Sequence, residues 1–148
     1  MQNEPIHVLL ADDEEDDRNF FIDAFKELKI NVVVNVVNNG QELIDHLSQT
    51  HVSLPHVVFL DLNMPRKTGF ECLNEIKSMD HLKDISIAIY STSASEKDIE
   101  ETFVRGANVY IKKPSSFSSL KKVLAQVIAL NWQYHTSGLN RDHFLLSL

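Results

Sequence analysis

The chain has 148 residues, of which 43% are hydrophobic, and a formal net charge of −7. This length and hydrophobic content predict one domain with a substantial core. The negative charge argues against direct binding to nucleic acid or to anionic membranes, so proteins and cations are the expected partners.

Targeting and redox signals are absent from the sequence pattern. The amino terminus, MQNEP, lacks the basic and long apolar regions of a signal peptide. No apolar run approaches the roughly 18 residues of a membrane-spanning helix. The single cysteine, Cys72, cannot form an internal disulfide. We therefore expect a cytoplasmic protein that does not enter a membrane.

Five short apolar runs have the length and the β-branched or aromatic content of strands. Several are apolar throughout, which is typical of strands buried on both faces. The runs are IHVLLA (Ile6 to Ala11), NVVVNVV (Asn31 to Val37), HVVFLD (His56 to Asp61), ISIAIYS (Ile85 to Ser91) and NVYIK (Asn108 to Lys112).

Segments in which apolar residues recur at helical spacing separate these runs. The predicted helical faces are Asp17, Phe21, Ala24, Phe25 and Leu28; Leu43, Ile44 and Leu47; Leu73, Ile76 and Met79; Ile99 and Phe103; and Leu120, Val123, Leu124, Val127 and Ile128. Five strands alternating with five helices predict an α/β fold, in which a parallel sheet with right-handed crossovers carries helices on both faces.

Polar residues follow the predicted strands, and in a parallel sheet the carboxyl ends of all strands meet at one edge. These residues are Asp12, Asp13, Asp61, Ser91, Lys112 and Lys113. Carboxylates that lie close together repel one another unless a cation neutralises them. A few oxygen ligands on loops suit Mg²⁺, while a lysine and a hydroxyl suit a phosphoryl group.

Asp61 is the best-placed nucleophile in this predicted site. It ends the middle strand and precedes the loop LNMPRKTG, in which Asn63 can offer a backbone carbonyl to a metal ion. An aspartate can attack a phosphoryl donor and form an acyl phosphate once a metal ion screens the repulsion between the two anions.

Four motifs together resemble the receiver domain of response regulators, the CheY-like family. They are ADD ending at Asp13, FLDLNMP around Asp61, the hydroxyls Ser91 and Thr92, and YIKKP ending at Pro114. The resemblance runs from about Ile6 to Ile128. It implies a doubly wound (βα)5 fold of the flavodoxin-like type, with five parallel strands in the order 2-1-3-4-5.

The resemblance also implies a role for each matching residue. Asp61 is expected to be the phosphoacceptor, and Asp13 the direct Mg²⁺ ligand. Asp12 is expected to act on the ion mainly through water, and the carbonyl of Asn63 to complete the site. Lys113 is expected to pair with the phosphoryl oxygens.

The switch residues implied by the resemblance are Ser91 and Tyr110, with Thr92 as a second candidate for the hydroxyl. After phosphorylation Ser91 is expected to approach the phosphoryl group and Tyr110 to turn inward, which alters the surface of the fourth helix, fifth strand and fifth helix. Asn63 and Ser93 are expected to influence how fast the phosphoryl group hydrolyses.

A response regulator of this kind implies protein partners. The phosphoryl group is expected to come from a sensor histidine kinase or a histidine phosphotransfer protein. The sequence does not identify the downstream target. A homodimer through the face of the fourth and fifth helices is possible.

Residues 1–130 are expected to form the receiver domain, and residues 131–148 a C-terminal extension without a separate output domain. The extension contains Trp132, Tyr134, Phe144 and Leu145, which is enough apolar surface to pack on the domain or on a second chain. We expect intrachain packing, with dimerisation as the alternative.

The acidic run from Asp12 to Asp17 divides into two parts. Asp12 and Asp13 belong to the predicted Mg²⁺ and phosphoryl site. Residues Glu14 to Asp17 begin the first helix, where solvent and the positive end of the helix dipole account for acidic side chains.

Two other functional classes are compatible with an α/β fold. A metal-dependent phosphatase of the haloacid-dehalogenase kind also forms an aspartyl phosphate, but it usually needs a second aspartate where this chain has Asn63. A flavodoxin-like cofactor binder needs a glycine-rich phosphate loop after the first strand, where this chain has acids. We therefore expect a phosphorylation switch rather than an enzyme, with at most self-phosphorylation from small donors and autodephosphorylation.

Overall fold

The computed structural model describes residues 4–49, 53–134 and 144–146, with the backbone alone for residues 130–134 and 146. The strands are β1 (Ile6–Ala11), β2 (Val32–Val37), β3 (Val57–Leu60), β4 (Ser86–Ser91), β5 (Val109–Lys112) and β6 (Leu145–Leu146). The helices are α1 (Glu15–Leu28), α2 (Gly40–Leu47), α3 (Gly69–Ser78), α4 (Glu96–Val104) and α5 (Phe117–Tyr134).

The strands form one parallel sheet in the order β2-β1-β3-β4-β5-β6. The predicted fold, with strand order 2-1-3-4-5 and five alternating helices, is confirmed. The structure adds β6, a short strand from the C-terminal segment that pairs with β5 and sets Leu145 opposite Tyr110. The edge of β5 is therefore covered by the same chain.

Two apolar layers hold the helices on the two faces of the sheet. Under α1 and α5, Phe21 packs edge-on against Phe59 and Tyr90, with ring centroids 4.9 and 5.6 Å away. Under α2, α3 and α4, the buried layer reaches from Leu43 to Phe144 of the C-terminal segment. Because strands β1, β3, β4 and β5 lie between these layers, their residues are buried on both faces, as predicted.

Strand β2 is the edge opposite β6, and it is less buried than the strands between them. Val33 and Val36 expose 39% and 37% of their surface. The apolar run NVVVNVV therefore does not lie in the doubly covered centre of the sheet. An edge position gives a β-branched strand one neighbour and only partial cover from helices.

Local capping fixes the start of α3 directly after the loop that follows β3. Thr68 accepts a hydrogen bond from the backbone of Glu71, whose carboxylate accepts one from the backbone of Thr68. This capping box satisfies two backbone groups at the helix start. Gly69 then lies so close to the backbone of Asp61 and Leu62 that no side chain fits there. The loop carrying Asp61 is thus packed directly on α3.

No helix in the described part of the chain combines the length and the apolar character required to cross a bilayer.

Candidate phosphoryl and cation site

The sheet register brings the predicted aspartates together. Ala11 lies opposite Leu60 on the neighbouring strand, so Asp12 and Asp61 follow as adjacent residues at the carboxyl edge. The backbone N–H of Asp61 donates to the carbonyl of Ala11 over 3.1 Å, which holds the two strand ends together. The main-chain pairing alone therefore places two carboxylates side by side.

Three carboxylates form one group at this edge. Each of Asp12, Asp13 and Asp61 has an oxygen within 4.8 Å of the other two. Asp12 and Asp61 are buried, whereas Asp13 is exposed to solvent. Arg18 anchors this loop by donating a hydrogen bond of 2.8 Å to the backbone carbonyl of Asp12. The group is therefore buried at Asp12 and Asp61 and open to solvent at Asp13.

Lys113 brings the opposite charge into the group from the end of β5. Its ammonium lies 2.8 Å from Oδ2 of Asp12 and 3.3 Å from Oδ2 of Asp61. A third carboxylate, that of Asp17, lies 2.8 Å away. The ring of Tyr90 forms a wall 5.3 Å from the ammonium, and the lysine side chain is only 8% exposed. The single ammonium of Lys113 therefore contacts three carboxylates while its side chain is largely buried.

Burial and charge shift the pKa values of these groups. Removal from water raises the pKa of Asp61 to about 6, with Lys113 opposing the shift and Asp12 adding to it. Burial likewise raises the pKa of Asp12. Desolvation alone would lower the pKa of Lys113, but the surrounding carboxylates outweigh it and raise that pKa. At pH 7 the ammonium of Lys113 therefore keeps its charge, and Asp61 is mostly ionised.

The donor set fits a hard divalent cation. Within the described residues, Oδ2 of Asp12 is buried without a hydrogen-bond partner, although the Lys113 ammonium lies close enough for an ion pair. The group offers carboxylate oxygens alone, which suit Mg²⁺, Ca²⁺ or Mn²⁺, without the nitrogen or sulfur ligands that zinc and copper favour. A small cation with its own water ligands on the open side would neutralise the uncompensated carboxylates.

The hydroxyl candidates at the end of β4 differ in burial. Ser91 is fully buried, and its Oγ accepts a hydrogen bond of 3.2 Å from the backbone of Ser93. Its carbonyl accepts a hydrogen bond of 2.8 Å from the backbone of Lys113, which ties the ends of β4 and β5 together. Thr92 is exposed. Of these two residues, Ser91 faces the interior of the protein.

Tyr110 points inward in this structure. Its side chain is fully buried, and its hydroxyl donates a hydrogen bond of 2.9 Å to the carbonyl of Ser93. The inward position that the resemblance implies for the phosphorylated protein is thus already occupied. Tyr110 is connected through this bond to the loop that follows Ser91.

The loop after Asp61 supports the site through its backbone. The N–H of Asn63 lies 3.4 Å from Oδ1 of Asp61, to which it donates, and the Asn63 side chain is exposed. Arg66 has a positive φ of 70°, and Lys67 then turns the chain towards Gly69 with a bond from its N–H to the carbonyl of Pro65. This short turn follows Asp61 at the carboxyl edge of the sheet.

The family model described as "Response regulator receiver domain" matches residues 8–125. The chain belongs to this family. Its members are signalling switches of two-component systems that take phosphoryl groups from histidine kinases or histidine phosphotransfer proteins. The haloacid-dehalogenase-like alternative is not favoured by this match.

Curated relatives of this receiver domain include stand-alone regulators. The probable methanogenesis regulatory protein FilR2 of Methanothrix harundinacea is 30% identical over 128 residues, which cover 84% of this chain and 82% of that protein. The response regulator Rcp1 of Synechocystis is 29% identical over 126 residues, covering 82% of this chain and 86% of Rcp1.

Solved structures of response regulators superpose over most of the chain. The phosphorylated cyanobacterial phytochrome response regulator RcpA is 29% identical with a TM-score of 0.80, covering 90% of this chain and 98% of that one. The Mn²⁺-bound form of Rcp1 is 26% identical with a TM-score of 0.77, covering 92% of this chain and 100% of that one.

The structure brings together most of the residues predicted for this receiver site. Asp12, Asp13, Asp61 and Lys113 meet at one edge, with the backbone of Asn63 beside them. Ser91 lies buried at the end of β4, and Tyr110 contacts the loop after it. Thr92 stays outside in solvent.

Asp17 is the site residue that sequence reasoning missed. The acidic run predicts that Asp17 contacts solvent and the helix dipole, yet its carboxylate accepts a hydrogen bond of 2.8 Å from Lys113. The correction has a simple physical basis, because α1 begins directly above the carboxyl edge of the sheet. Its inward face therefore reaches the lysine at the end of β5.

Proposed function

We propose that this receiver domain accepts a phosphoryl group on Asp61 from a sensor histidine kinase or a histidine phosphotransfer protein. The observation that carries the proposal is the position of Asp61. Its side chain is 8% exposed at the end of the central strand β3, between two other carboxylates and the Lys113 ammonium. A structural aspartate does not require two neighbouring anions and a buried cation.

The chemical step is the transfer of a phosphoryl group from a donor histidine to the carboxylate of Asp61. An oxygen of the carboxylate attacks the phosphorus, a P–O bond forms, and the P–N bond to the donor histidine breaks. The electron pair of the broken bond remains on the leaving imidazole. Asp61 is suited to this attack because it is mostly ionised at pH 7, above its pKa of about 6.

Mg²⁺ is the cation that we propose for the site, held by Asp12, Asp13, Asp61 and the backbone carbonyl of Asn63. When bound, the ion supplies positive charge that reduces the repulsion between the carboxylate and the incoming phosphoryl group. The all-oxygen donor set and the open side at Asp13 support this choice.

Lys113 and Ser91 are proposed to hold the phosphoryl oxygens on Asp61. The ammonium is already within hydrogen-bond distance of Asp61, so it can donate to an oxygen attached there. The buried position of Ser91 favours its hydroxyl over that of the exposed Thr92. A shift of Ser91 would move the backbone of Ser93, which the Tyr110 hydroxyl contacts.

Phosphorylation is thereby proposed to reach the surface of α4, β5 and α5. Tyr110 lies in β5, and its hydroxyl is bonded to the loop that leads into α4. A local charge at Asp61 biases this linked element and so changes binding to a protein partner. We further propose that the domain is a switch with at most self-phosphorylation and autodephosphorylation activity. Its cytoplasmic location stays a prediction.

A homodimer through the α4 to α5 face is a proposal of the same kind. Val104 in α4 is 72% exposed, whereas the other exposed large apolar residues of the described chain are 37% to 39% exposed. Strand β6 pairs with β5 in the same chain, so a second copy would meet β6 rather than the edge of β5. The C-terminal extension is proposed to remain packed on its own domain.

Phosphoryl labelling tests the assignment of Asp61. The parent chain, Asp61→Asn and the exposed control Asp16→Asn are incubated with acetyl phosphate and Mg²⁺, and intact mass is measured. We expect one added phosphoryl group on the parent and on the control, and none on Asp61→Asn. Equal labelling of Asp61→Asn would refute the assignment. Steady turnover of a small phosphate ester would instead support a phosphatase.

A further inference from the structure

The ammonium of Lys113 has a partner that does not belong to the three-carboxylate group. Asp17, in the first turn of α1, accepts a hydrogen bond over 2.8 Å, shorter than the 3.3 Å to Asp61. An ammonium has three N–H donors, and three carboxylates surround this one. Lys113 is therefore held from two sides, by the strand ends and by the helix.

The three partners of Lys113 differ in what else they must bind. Asp12 and Asp61 belong to the group whose oxygens lie within 4.8 Å of one another and fit a cation, and Asp17 lies outside it. A cation at that group competes with Lys113 for the oxygens of Asp12 and Asp61. The carboxylate of Asp17 does not take part in this competition, so it remains available to pair with Lys113.

Water cannot solvate the Lys113 ammonium when Asp12 and Asp61 also bind a cation, because the lysine is buried. Its side chain is 8% exposed, and the Tyr90 ring lies 5.3 Å from the ammonium. A buried ammonium without a partner is costly, so its position follows the remaining anion. Asp17 is 39% exposed and stands on the solvent side of the lysine. The charge of Asp17 therefore acts together with that of Asp12, which lies at the same distance of 2.8 Å, in placing the ammonium.

We propose that Asp17 is a positioning residue for Lys113, which keeps the ammonium beside Asp61 while Asp12 and Asp61 hold the cation and the phosphoryl group. The inference rests on the proposed function. Without the charge of Asp17, Lys113 pairs more strongly with Asp12 and Asp61. The cation must then displace the lysine from both carboxylates, and the displaced lysine has no fixed place near the phosphoryl group.

Calorimetric titration of the metal-free chain with Mg²⁺ tests this role without any phosphoryl transfer. We compare the parent with Asp17→Asn and with Asp16→Asn, which removes the same charge from the exposed neighbouring position. Asp17→Asn is expected to weaken Mg²⁺ binding about fivefold, the effect of losing one partly exposed ion pair, and Asp16→Asn less than about twofold. Equal effects of the two variants would overturn the proposal.

A double-mutant cycle separates positioning of Lys113 from simple loss of charge. If Asp17 acts through Lys113, Asp17→Asn has little further effect on Mg²⁺ affinity in a Lys113→Met background. An undiminished effect in that background contradicts the proposal. The comparison of the two single variants stands even if the Lys113→Met chain does not fold.

Labelling with acetyl phosphate at saturating Mg²⁺ gives the second readout. Asp17→Asn is expected to be labelled about fivefold more slowly than the parent, with Asp16→Asn close to the parent. A parent that takes up no label refutes the proposed function and leaves the Mg²⁺ titration as the test of Asp17. A labelled parent with an unchanged rate in Asp17→Asn refutes the role of Asp17 alone.

Discussion

Phe144 packs on the ring of Tyr110, with the two ring centroids 6.1 Å apart. It also lies against Phe103 of α4, with centroids 5.3 Å apart, and none of its side chain is exposed. The C-terminal segment thus places an aromatic ring between β5 and α4. The intrachain packing expected for the extension is found at Phe144, whereas the side chains of Trp132 and Tyr134 lie outside the described residues.

Replacing Phe144 by alanine should weaken both the fold and the cover on Tyr110. A buried phenylalanine truncated to alanine commonly costs about 3 to 5 kcal/mol. Because the short β6 strand can detach rather than leave a cavity, we expect a loss of about 2 to 3 kcal/mol in the free energy of unfolding. Urea unfolding measures this loss, and hydrogen exchange should show faster exchange of the β6 amides.

Leu145→Ala is the matched control for this substitution. Leu145 is the next residue and is 38% exposed, so its truncation should cost less than about 1 kcal/mol. Similar losses in the two variants would mean that the Phe144 ring does not anchor the strand.

Asp61→Asn should stabilise the cation-free protein at neutral pH. The pKa of Asp61 is raised from 3.8 to about 6 by burial, so the folded state favours the neutral carboxyl. Its destabilising contribution is absent below pH 3.8 and grows to its full value above about pH 6. At about 1.4 kcal/mol per pH unit, this shift, which already includes the opposing effect of Lys113, predicts a gain of up to about 3 kcal/mol.

Urea unfolding in a chelator checks the sign of this prediction. The gain of Asp61→Asn over the parent should be largest at pH 7 and shrink as the pH falls towards 4, with the exposed Asp16→Asn as the matched control. Adding Mg²⁺ should stabilise the parent more than the variant, because only the parent keeps the full carboxylate group. A gain that is constant across pH contradicts the assigned cause.

The sheet and most of the site could be predicted because both follow from local pattern. Strand-length apolar runs alternate with helical faces, and a parallel sheet then brings the strand ends to one edge. That rule alone places Asp12, Asp61 and Lys113 together. Strand β6 could not be predicted in this way, since a pair of leucines has too little pattern to distinguish a strand from a loop.

Asp17 was missed although the sequence contained a signal for it. The predicted first helix already placed Asp17 on the same face as Phe21, Ala24 and Phe25, which points to the sheet. Its position within an acidic run favoured the solvent explanation over that periodicity. A charged residue on the apolar face of a helix therefore calls for a partner at the sheet edge. The inward position of Tyr110 is different, because its ring packs against Phe144, a contact distant in sequence.

Self-association through the α4 to α5 face can be distinguished experimentally from self-association through β2, at the opposite edge of the sheet. We expect the sedimentation coefficient to rise with protein concentration when Mg²⁺ and beryllofluoride, a phosphoryl mimic, are added. Val104→Glu should remove this rise, because it puts a charge on the exposed apolar position of α4.

Val33→Glu provides the control for that measurement. Val33 is 39% exposed in β2, at the opposite edge of the sheet, so its substitution should leave the rise intact. A parent whose mass and shape do not change with the mimic would contradict the dimer. Loss of association in the Val33 variant would assign it to the β2 edge.

Gly69→Ala should disturb the site through the backbone of the Asp61 loop. A Cβ atom at Gly69 would lie 2.3 Å from the carbonyl oxygen of Asp61 and 2.7 Å from the Cα of Leu62. Both atoms belong to the backbone, so the loop or the start of α3 must move. Because correct orientation of reacting groups strongly affects rates, labelling of Asp61 by acetyl phosphate should fall at least about tenfold.

Gly106→Ala distinguishes this effect from a general loss of stability. Gly106 has a φ of +102°, which alanine adopts with strain, while its nearest neighbour is the flexible side chain of Lys77 at 3.4 Å. The substitution should cost about 1 to 2 kcal/mol of stability but leave the labelling rate close to the parent, since Gly106 lies before β5 at the amino edge of the sheet. Equal loss of labelling in both variants, measured where each remains folded, would attribute the effect of Gly69→Ala to stability instead of loop geometry.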